Sequence, residues 1–417
     1  MRRVIDDELD ELLPWLPAIL LDGPKGVGKT ETALQRATTV YRLDRDPDRS
    51  LLAADVSAVG GGPATVLIDE WHRLPSVWDA VRRAVDEDSS GGRFVLTGSA
   101  PQSGTHSGAG RIVTRRMRPL CLFERGIEDA TVSFSNLAEG AAQRLAGSTS
   151  FALADYVDEI VAGGFPGMRG LPDRVVSAQL DTYVERIVDR DVVELGHTVR
   201  RPAALLGWLR AYAAASATTT TLESIRDAAS AGTGVTPARS TTVTYAEVLT
   251  ALRVLDPVPA WLPSNNHLRQ VGAAPKHHLV DPALAARLLR RSRVQLRGGD
   301  DPAYGFSDRP LLGRLFESFV ALSLRTYAQR VSGTVFHLRT RQGRQEVDFV
   351  VELDDGRVLA VEVKLGDTVV DRDLQHLVWL RDRIGDRLVD AVVVNTGPAA
   401  YRRPDGIGVV PLALLGP

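Results

Sequence analysis

The segment GPKGVGKT, from Gly23 to Thr30, limits what this chain can fold into more than any other feature of its sequence. It fits the pattern G-x-x-x-x-G-K-[ST], follows the short apolar run AILL and precedes the helix-forming stretch ETALQRATTV. Glycines between a buried strand and a helix let backbone N–H groups approach a phosphate, and the helix N-terminus adds partial positive charge. The pattern therefore predicts a P-loop that binds ATP or ADP within a parallel α/β sheet.

Each part of this loop has an expected role in nucleotide binding. The loop backbone would surround the phosphates, the Lys29 ammonium would reach the β- and γ-phosphates, and the Thr30 hydroxyl would bind Mg²⁺. The alternative is a glycine-rich strand–helix turn that binds no ligand. The predicted nucleotide-binding residues of the loop are Gly23, Pro24, Lys25, Gly26, Val27, Gly28, Lys29 and Thr30.

Two later apolar runs end in polar residues that would join the same site. TVLIDE ends in Asp69 and Glu70, and RFVLTGS carries Thr97 and Ser99 near its end. We expect Asp69 to hold Mg²⁺, directly or through water, and Glu70 to activate the attacking water. Thr97 or Ser99 would contact the γ-phosphate. The alternative for all of these residues is a strand that ends in solvated side chains.

The last hundred residues hold a second pattern that carries chemistry. The stretch EVDFVVELDDGRVLAVEVK predicts a hairpin with the turn Asp354-Asp355-Gly356. If paired residue numbers sum to 710, Asp348 lies opposite Glu362, and Lys364 follows on the same face. The other face is predicted to be core, and it carries Val347, Phe349, Val351, Leu359, Val361 and Val363.

Like charges that face each other destabilise a hairpin unless something neutralises them. Asp348, Glu362 and Lys364 fit D-x(n)-E-x-K, the motif of the PD-(D/E)XK nuclease fold. Two carboxylates across a hairpin can share Mg²⁺, and the lysine can position or deprotonate the attacking water. Glu317, on the apolar face of the preceding helical pattern, also needs a partner. The predicted metal ligands are Glu317, Asp348 and Glu362, and the predicted catalytic residues are Asp348, Glu362 and Lys364.

The alternative for this hairpin is a solvated face with a plain Glu–Lys pair. The spacing of Gln375 and Trp379 on the next helical stretch matches RecB-type members of the nuclease fold and favours the metal site. Lysine use also favours it, because only four of the 50 basic residues are lysine. A compact ammonium differs from a planar guanidinium, so these lysines indicate positions where arginine would not serve. They are Lys25, Lys29, Lys276 and Lys364.

The charge balance limits the expected partners. A net charge of −2 gives no general attraction to nucleic acid. DNA contacts would therefore have to come from local arginine clusters, although such clusters are often only solvated faces. No stretch is long and apolar enough to span a membrane, and the acidic N-terminus is unlike a signal peptide, so we expect a cytoplasmic protein. The clusters are Arg115, Arg116 and Arg118; the stretch 287–297; and Arg339, Arg341 and Arg344.

An ordered series of motifs runs along nearly the whole chain: GPKGVGKT, LIDEWHRLP, RFVLTGS, GAGRI, GGFP, DRDVVEL, PKHHLVDPAL, GRLFESFV, EVDFVVE and VEVK. The chain thereby resembles a prokaryotic family of AAA-type ATP-binding proteins whose C-terminal domain of unknown function combines a winged helix with a restriction-endonuclease-like fold. The resemblance implies that Arg111 of GAGRI contacts the γ-phosphate, in the same chain or from a neighbour, with a fold-stabilising ion pair as the alternative. His72 departs from the family's usual Gln, and the stretch after Asp55 is shortened.

Together these patterns predict an α/β protein of four units. They are a P-loop AAA-type ATPase domain over 1–135, a helical lid or linker over 136–200, a winged helix-turn-helix over 201–300 and a PD-(D/E)XK nuclease-like α/β domain over 301–417. We expect an ATP-hydrolysing protein whose nucleotide state controls a DNA-acting, metal-dependent C-terminal domain. The alternative is a nucleotide-dependent switch with a non-catalytic nuclease fold, and assembly of identical chains stays open.

Overall fold

The fold is described from a computed structural model of the 417-residue chain. The described residues are 2–60, 64–98, 108–140, 144–197, 201–231, 237–263, 272–297, 308–340 and 343–417. They contain two large sheets and one two-stranded sheet. The P-loop belongs to the first large sheet and the hairpin to the second, so the two predicted sites lie in separate sheets.

The first sheet has five parallel strands in the order β2-β3-β4-β1-β5. Because parallel strands end at the same edge, the P-loop after β1 lies beside the ends of β3 and β4. The strands are β1 (Ala18–Asp22), β2 (Thr39–Arg42), β3 (Val66–Asp69), β4 (Phe94–Gly98) and β5 (Ile112–Arg116). The helices of this region are α1 (Val4–Leu12), α2 (Lys29–Leu34), α3 (Asp46–Ala54) and α4 (Ser76–Glu87).

The middle of the chain is helical. A π-helical turn at Ile187–Asp191 joins the seventh helix to the eighth, which follows it directly. After a short strand β6 (Val132–Ser133), the helices are α5 (Phe134–Glu139), α6 (Leu153–Ala162), α7 (Asp173–Arg186), α8 (Val192–Glu194), α9 (Pro202–Ala214), α10 (Leu222–Ser230), α11 (Arg239–Ala251), α12 (Pro282–Leu288) and α13 (Arg293–Arg297).

An antiparallel pair of segments follows α11, and we call residues 254–258 and 276–280 the arm. Leu255 pairs with Leu279, and Val258 pairs with Lys276. Three helices followed by such an arm are the order that a winged helix requires, and this interpretation stays a prediction. Between these two segments in the sequence lies β7 (Ala260–Trp261), which joins the second large sheet.

The second sheet has seven strands in the order β12-β13-β11-β10-β9-β8-β7. The helix, strand, hairpin, helix and strand expected from the sequence are all present and in that order. These elements are α14 (Arg309–Arg330), β8 (Thr334–Arg339), β9 (Glu346–Glu352), β10 (Val358–Lys364), α15 (Gln375–Ile384) and β11 (Leu388–Asn395), followed by β12 (Tyr401–Arg402), β13 (Gly408–Pro411) and β14 (Leu415–Gly416).

The hairpin register is confirmed. Leu359 pairs with Val351 and Val361 pairs with Phe349, so paired numbers sum to 710. The loop closes through a hydrogen bond of 2.9 Å from Leu353 N–H to the Arg357 carbonyl, and Gly356 has a φ of +79°. A glycine is needed there because residues with a side chain rarely adopt this backbone conformation.

One part of the predicted core face is wrong. The pairing of β8 with β9 shifts by one residue between Phe336 and Leu338, which is the signature of a β-bulge. Phe349 packs with α14 in the main core, whereas Val347 packs with Val350 on the opposite side. The bulge therefore breaks the strict alternation along β9 and sends Asp348 toward α14.

The C-terminus returns to the N-terminal half. β14 pairs with β6 through Leu415 and Val132, and the Tyr327 hydroxyl of α14 donates a hydrogen bond of 3.0 Å to the Leu415 carbonyl. One hydrophobic core includes side chains from both large sheets and the helices between them. The predicted boundaries therefore stay predictions, and those near 200 and 300 lie outside the described residues. Within the described ranges, no helix is long and apolar enough to cross a membrane.

Candidate functional sites

The P-loop lies where the strands of the first sheet end. Gly26 and Gly28 have φ angles of +79° and +94°, values that glycine adopts far more readily than other residues. A Cβ at Gly23 would lie 2.2 Å from the carbonyl oxygen of Met117. The backbone of the loop therefore requires the glycines that the motif supplies.

Lys29 is buried inside the loop that precedes it. It is 6% exposed, and its Nζ donates hydrogen bonds of 2.8 Å to the carbonyl oxygens of Gly23 and Pro24. Burial lowers the pKa of Lys29 to about 8, because neutral carbonyls replace water only in part. A bound phosphate would supply the negative charge that this ammonium lacks.

Asp69 collects polar contacts at the end of β3. Thr30 Oγ1 donates to Asp69 Oδ1 at 2.7 Å, and Thr97 Oγ1 donates to the same oxygen at 2.5 Å. A hydroxyl and a carboxylate side by side are oxygen ligands of the kind that Mg²⁺ takes, so these residues fit the metal that the P-loop implies. Thr97 thus lies in the site, whereas Ser99, the other γ-phosphate candidate, lies outside the described residues.

Glu70 has the environment of a general base. Its φ of +57° is unusual for a residue with a side chain, and its backbone N–H donates to Thr97 Oγ1 at 3.2 Å. Burial raises the pKa of Glu70. His72 Nε2 lies 3.3 Å from Glu70 Oε2, and burial lowers the pKa of His72 to about 4, so this ring is neutral at pH 7. Strained backbone and a shifted carboxyl pKa are both typical of active sites.

Arg111 lies at the opposite edge of the sheet from the P-loop. β1 and β5 are parallel, with Ala18 beside Ile112, so Arg111 precedes the strand starts whereas the P-loop follows the strand ends. At about 3.3 Å per residue, the two edges are roughly 15 Å apart. Arg111 Nε donates to Asp86 Oδ1 at 2.5 Å. This geometry does not place Arg111 against a nucleotide of its own chain, and a contact with a neighbouring chain stays a prediction.

Lys25 connects the P-loop to the end of the long α7–α8 segment. Its Nζ donates to Asp191 Oδ1 at 2.6 Å and to Glu194 Oε2 at 3.1 Å. Arg73, just after β3, also lies 3.9 Å from Glu194. Both acids belong to the motif DRDVVEL, but nothing in its spacing indicated that the P-loop is their partner.

A second polar cluster lies where the hairpin meets the starts of α14 and α15. It borders a cavity of about 570 Å³. All four predicted residues of the C-terminal site, namely Glu317, Asp348, Glu362 and Lys364, line this cavity, and Gln375 does as well. Trp379 instead packs into the hydrophobic cluster on the outer face of the sheet. We call the cluster the acidic site, and its charged members are Lys276, Glu317, Glu346, Asp348, Glu362 and Lys364.

Lys276 is the cation of the acidic site that was not predicted. It comes from the arm, is 1% exposed, and its Nζ lies 2.7 Å from Glu317 Oε1 and 3.1 Å from Asp348 Oδ1. Although burial opposes its charge, Asp348 and Glu317 raise the pKa of Lys276. The scarcity of lysine was the signal that could have found it, because all four lysines lie at the two sites.

The second lysine of the acidic site holds a single carboxylate. Lys364 Nζ donates to Glu362 Oε1 at 2.9 Å, and the other oxygen, Glu362 Oε2, is buried without a hydrogen-bond partner among the described residues. Burial, and then the nearby Asp348, raises the pKa of Glu362 to about 8, and the same causes raise that of Glu317 to about 8. The carboxylates of the acidic site therefore outnumber the lysines that could neutralise them.

No group of three or more acidic, histidine or cysteine side chains within the described ranges is arranged to hold a metal ion. In the acidic site the reason is Lys276, whose ammonium stands between the Glu317 and Asp348 oxygens. The carboxylates have the right chemistry for a hard cation, but their geometry in this conformation does not fit a divalent ion.

The first arginine cluster is engaged in ion pairs. Arg118 is buried and its Nε donates to Asp256 Oδ2 at 2.7 Å. Arg116 lies 3.5 Å from the same carboxylate, and Arg115 pairs with Glu8 at 2.8 Å. All three arginines therefore already form ion pairs within the protein, and their contact with a phosphate backbone stays a prediction.

The other two clusters are partly neutralised as well. In 287–297, Arg287 pairs with Asp181, and Arg293 pairs with Asp173 at 2.7 Å. In the third cluster, Arg339 lies 3.6 Å from Glu346 of the acidic site, and Arg341 lies outside the described residues. A contact of these two clusters with DNA stays a prediction.

A chain of ion pairs runs from the P-loop toward the arm. Asp22, directly before Gly23, pairs with Arg253 at 2.7 Å and lies 3.8 Å from Arg116. Arg116 in turn approaches Asp256, which also pairs with Arg325 of α14 at 3.1 Å. We call Asp22, Arg116, Arg118, Arg253, Asp256 and Arg325 the arginine bridge.

Three family models match successive parts of the chain. Residues 16–125 match the model described as an AAA domain. Residues 153–295 match a domain of unknown function, DUF8612, and residues 312–415 match a domain of unknown function, DUF4143. Among curated proteins, uncharacterized proteins of Mycobacterium bovis and Mycobacterium tuberculosis are each 26% identical over 420 residues, which is 98% of this chain and 83% of theirs.

Similarity to solved structures is weak. The RuvB Holliday junction branch migration motor of Thermotoga maritima has a TM-score of 0.26 at 17% identity, over 61% of this chain and 89% of that one. Protein VC1899 of Vibrio cholerae has a TM-score of 0.19 at 13% identity, over 95% and 94%. The AAA-domain match and the P-loop geometry together support an AAA-type ATPase domain, joined to a C-terminal segment similar to DUF4143.

Proposed function

We propose that this protein binds and hydrolyses ATP and that its nucleotide state acts on the acidic site of the C-terminal sheet. The observation that carries the first half is the convergence of Lys29, Thr30, Asp69 and Glu70 at one edge of the parallel sheet. A P-loop with a buried ammonium, a paired hydroxyl and carboxylate, and a carboxyl group of raised pKa has the parts that phosphoryl transfer to water needs.

Each residue then has a role in binding or hydrolysis. The P-loop backbone and Lys29 bind the phosphates. Thr30 and Asp69 would hold Mg²⁺, which when bound neutralises phosphate charge. Glu70 accepts the proton of the attacking water, and Thr97 orients Asp69 through its short hydrogen bond. A movement of the loop would move Lys25 and thereby its ion pair with Asp191 in the α7–α8 segment.

The arginine bridge supports the coupling of the two sites. Asp22 adjoins the P-loop, Asp256 lies in the arm, and Arg325 extends from the helix that also carries Glu317. A shift of the P-loop on nucleotide binding would therefore change ion pairs that hold the arm and α14. The two acids and Arg118 are buried and the other arginines are half-buried, so these pairs depend on one another, since an unpaired buried charge is unfavourable.

A second candidate activity is cleavage of a phosphodiester by the acidic site. Its support is the order α14, β8, β9, β10, α15 and β11, with β10 parallel to β11, and the convergence of carboxylates with Lys364. Arg314 and Arg372 also border the cavity and are suited to phosphate. DNA is the proposed substrate class.

The non-catalytic switch remains the competing proposal, and Lys276 is the observation that favours it. A site whose carboxylates are already bound to an internal ammonium can fix the arm without any chemistry. The two proposals differ in whether DNA is cut when the protein is given Mg²⁺ or Mn²⁺.

The test combines nucleotide binding and DNA cleavage on the full chain. Calorimetry should show ATP binding by the wild type, its loss in Lys29→Ala, and its retention in Lys364→Ala, which removes the same charge outside the P-loop. Absence of ATP binding by the folded wild type would refute the proposal. DNA cleavage that depends on a divalent ion and is lost in Asp348→Asn would favour the nuclease, and none with or without ATP would favour the switch.

A further inference from the structure

We propose that Lys276 serves as the internal cation of the acidic site and excludes a divalent metal ion from Glu317 and Asp348. This inference rests on the proposed acidic site but not on ATP binding, so the two can fail separately. It reverses the usual expectation for such a cluster, because the cation that offsets the carboxylates comes from the protein itself.

The distances leave no room for both cations. Lys276 Nζ lies 2.7 Å from Glu317 Oε1, 3.1 Å from Asp348 Oδ1 and 3.6 Å from Glu346 Oε1. A Mg²⁺ ion bound to the same oxygens would sit about 2.1 Å from each. It would overlap the ammonium, and the repulsion between the two charges would add to the overlap.

The remaining oxygens do not make a second site. Asp348 Oδ2 accepts a hydrogen bond of 2.9 Å from the backbone N–H of Val363. Glu362 Oε1 is taken by Lys364. Among the carboxylate oxygens of the acidic site that the structure describes, Glu362 Oε2 is the one that is buried without a partner. Mg²⁺ is usually held by one or two carboxylates together with water, but the ammonium groups of Lys364 and Lys276 lie near this oxygen and would repel a divalent ion.

The backbone of Lys276 is held in place by hydrogen bonds within the arm. The backbones of Lys276 and Val258 exchange two hydrogen bonds of 2.8 and 2.9 Å, and Asp256 N–H donates to the His278 carbonyl at 2.9 Å. Asp256 is the centre of the arginine bridge. The backbone that carries this ammonium is therefore paired with the segment that contains Asp256, the residue that connects the arm to the P-loop.

The choice of lysine supports this role. Arginine accounts for 46 of the 50 basic residues, yet the buried cation here is a lysine. A compact ammonium can lie between carboxylates from α14 and β9 as a metal ion would, whereas a planar guanidinium needs a wider gap. The acidic site thus accepts metal only when the arm withdraws Lys276.

The test measures Mn²⁺ binding without nucleotide, by the loss of the electron paramagnetic resonance signal of free Mn²⁺. Wild type and Asp348→Asn should bind Mn²⁺ equally weakly. Lys276→Met should bind at least about tenfold more tightly than wild type, and adding Asp348→Asn should remove the gain. Lys364→Met is the matched control: it removes an equal charge but leaves Lys276 between Glu317 and Asp348, so any Mn²⁺ that it binds at the freed Glu362 should be unaffected by adding Asp348→Asn.

Two results would overturn the proposal. One is a Mn²⁺ site in the wild type that Asp348→Asn abolishes. The other is a folded Lys276→Met protein, verified by retained ATP binding, that gains no Mn²⁺ site. If Lys276→Met does not fold, the comparison of wild type with Asp348→Asn decides alone: equal binding supports exclusion, and a difference refutes it.

Discussion

Lys29 and Lys276 are both buried lysines, and their surroundings have shifted their pKa values in opposite directions. Lys29 is bound by two neutral carbonyls, and burial lowers its pKa to about 8. Lys276 is bound by carboxylates, which raise its pKa despite its burial. The P-loop therefore holds a positive charge that still lacks an anion, whereas the acidic site holds one that is already neutralised.

This difference separates a binding site from a closed one. A site that is incomplete in charge gains most from a ligand that completes it. The P-loop gains from a phosphate, but the acidic site gains from a divalent ion only if Lys276 leaves. The same residue type thus indicates a receptive site in one sheet and an occupied one in the other.

The largest expected effect is on hydrolysis. Glu70→Gln removes the proposed base but leaves the Mg²⁺ ligands Thr30 and Asp69, so steady-state ATP hydrolysis should fall roughly 10²–10⁴-fold. Calorimetric ATP affinity should stay unchanged. Glu87→Gln, an acid at the end of α4 outside both sites, should hydrolyse ATP as the wild type does. A Glu70→Gln enzyme of normal rate would show that Glu70 is not the base.

The sharpest test of the comparison is stability after loss of each lysine. Lys276→Met leaves buried carboxylates without their cation and should lower the free energy of unfolding by about 3–5 kcal/mol. Lys29→Met removes a charge that burial disfavours and whose hydrogen bonds go to neutral carbonyls, so it should leave stability unchanged or raised. Denaturant unfolding of both variants measures this. Equal destabilisation would erase the distinction between the two sites.

The pH dependence of ATP binding should follow Lys29. Bound phosphate raises the pKa of the ammonium above its free value of about 8, so the bound state holds a proton that the free protein loses above that pH. Affinity should be constant below pH 7 and fall by up to about tenfold per pH unit above pH 8. Calorimetry in buffers of different ionisation enthalpy would detect the proton uptake. A flat profile to pH 9.5 would contradict the assignment.

The smallest expected effect is at Thr97. Thr97→Val removes the hydrogen bond to Asp69 Oδ1 and should cost about 1 kcal/mol in stability, with a measurable loss of ATP hydrolysis. Thr326→Val, which removes a hydroxyl bonded only within α14, should match it in stability but hydrolyse ATP normally. If both variants hydrolyse ATP alike, Thr97 has no role in the site.

Features that depend on neighbouring residues were predictable. The P-loop motif specifies its own turns, because Gly26 and Gly28 lie in the strand-to-helix connection that needs them. The hairpin register follows from a turn and from alternation within nineteen residues, from Glu346 to Lys364. Even there, one bulge opposite His337 moved Val347 to the other side, since strand pairing with β8 is not part of the local pattern.

Features that depend on distant partners were not predictable. The TRRMR cluster has the composition of a phosphate-binding patch, but Asp256, more than a hundred residues later, pairs with two of its arginines. The family resemblance implies that Arg111 contacts a nucleotide, but the parallel order of β1 and β5 puts it at the far edge of the sheet. Charge alone does not reveal whether a side chain has a partner.

The sequence by itself determined that an ATP-type phosphate site and a pair of facing carboxylates exist, because short-range geometry encodes both. Only the tertiary structure decided which cation pairs with the carboxylates of this site. Lys276 lies 41 residues before Glu317 and 72 before Asp348, on the segment of the arm that pairs with Val258. Coulomb energy depends on distance in space, not along the chain, so the packing of the elements decides which charged groups pair.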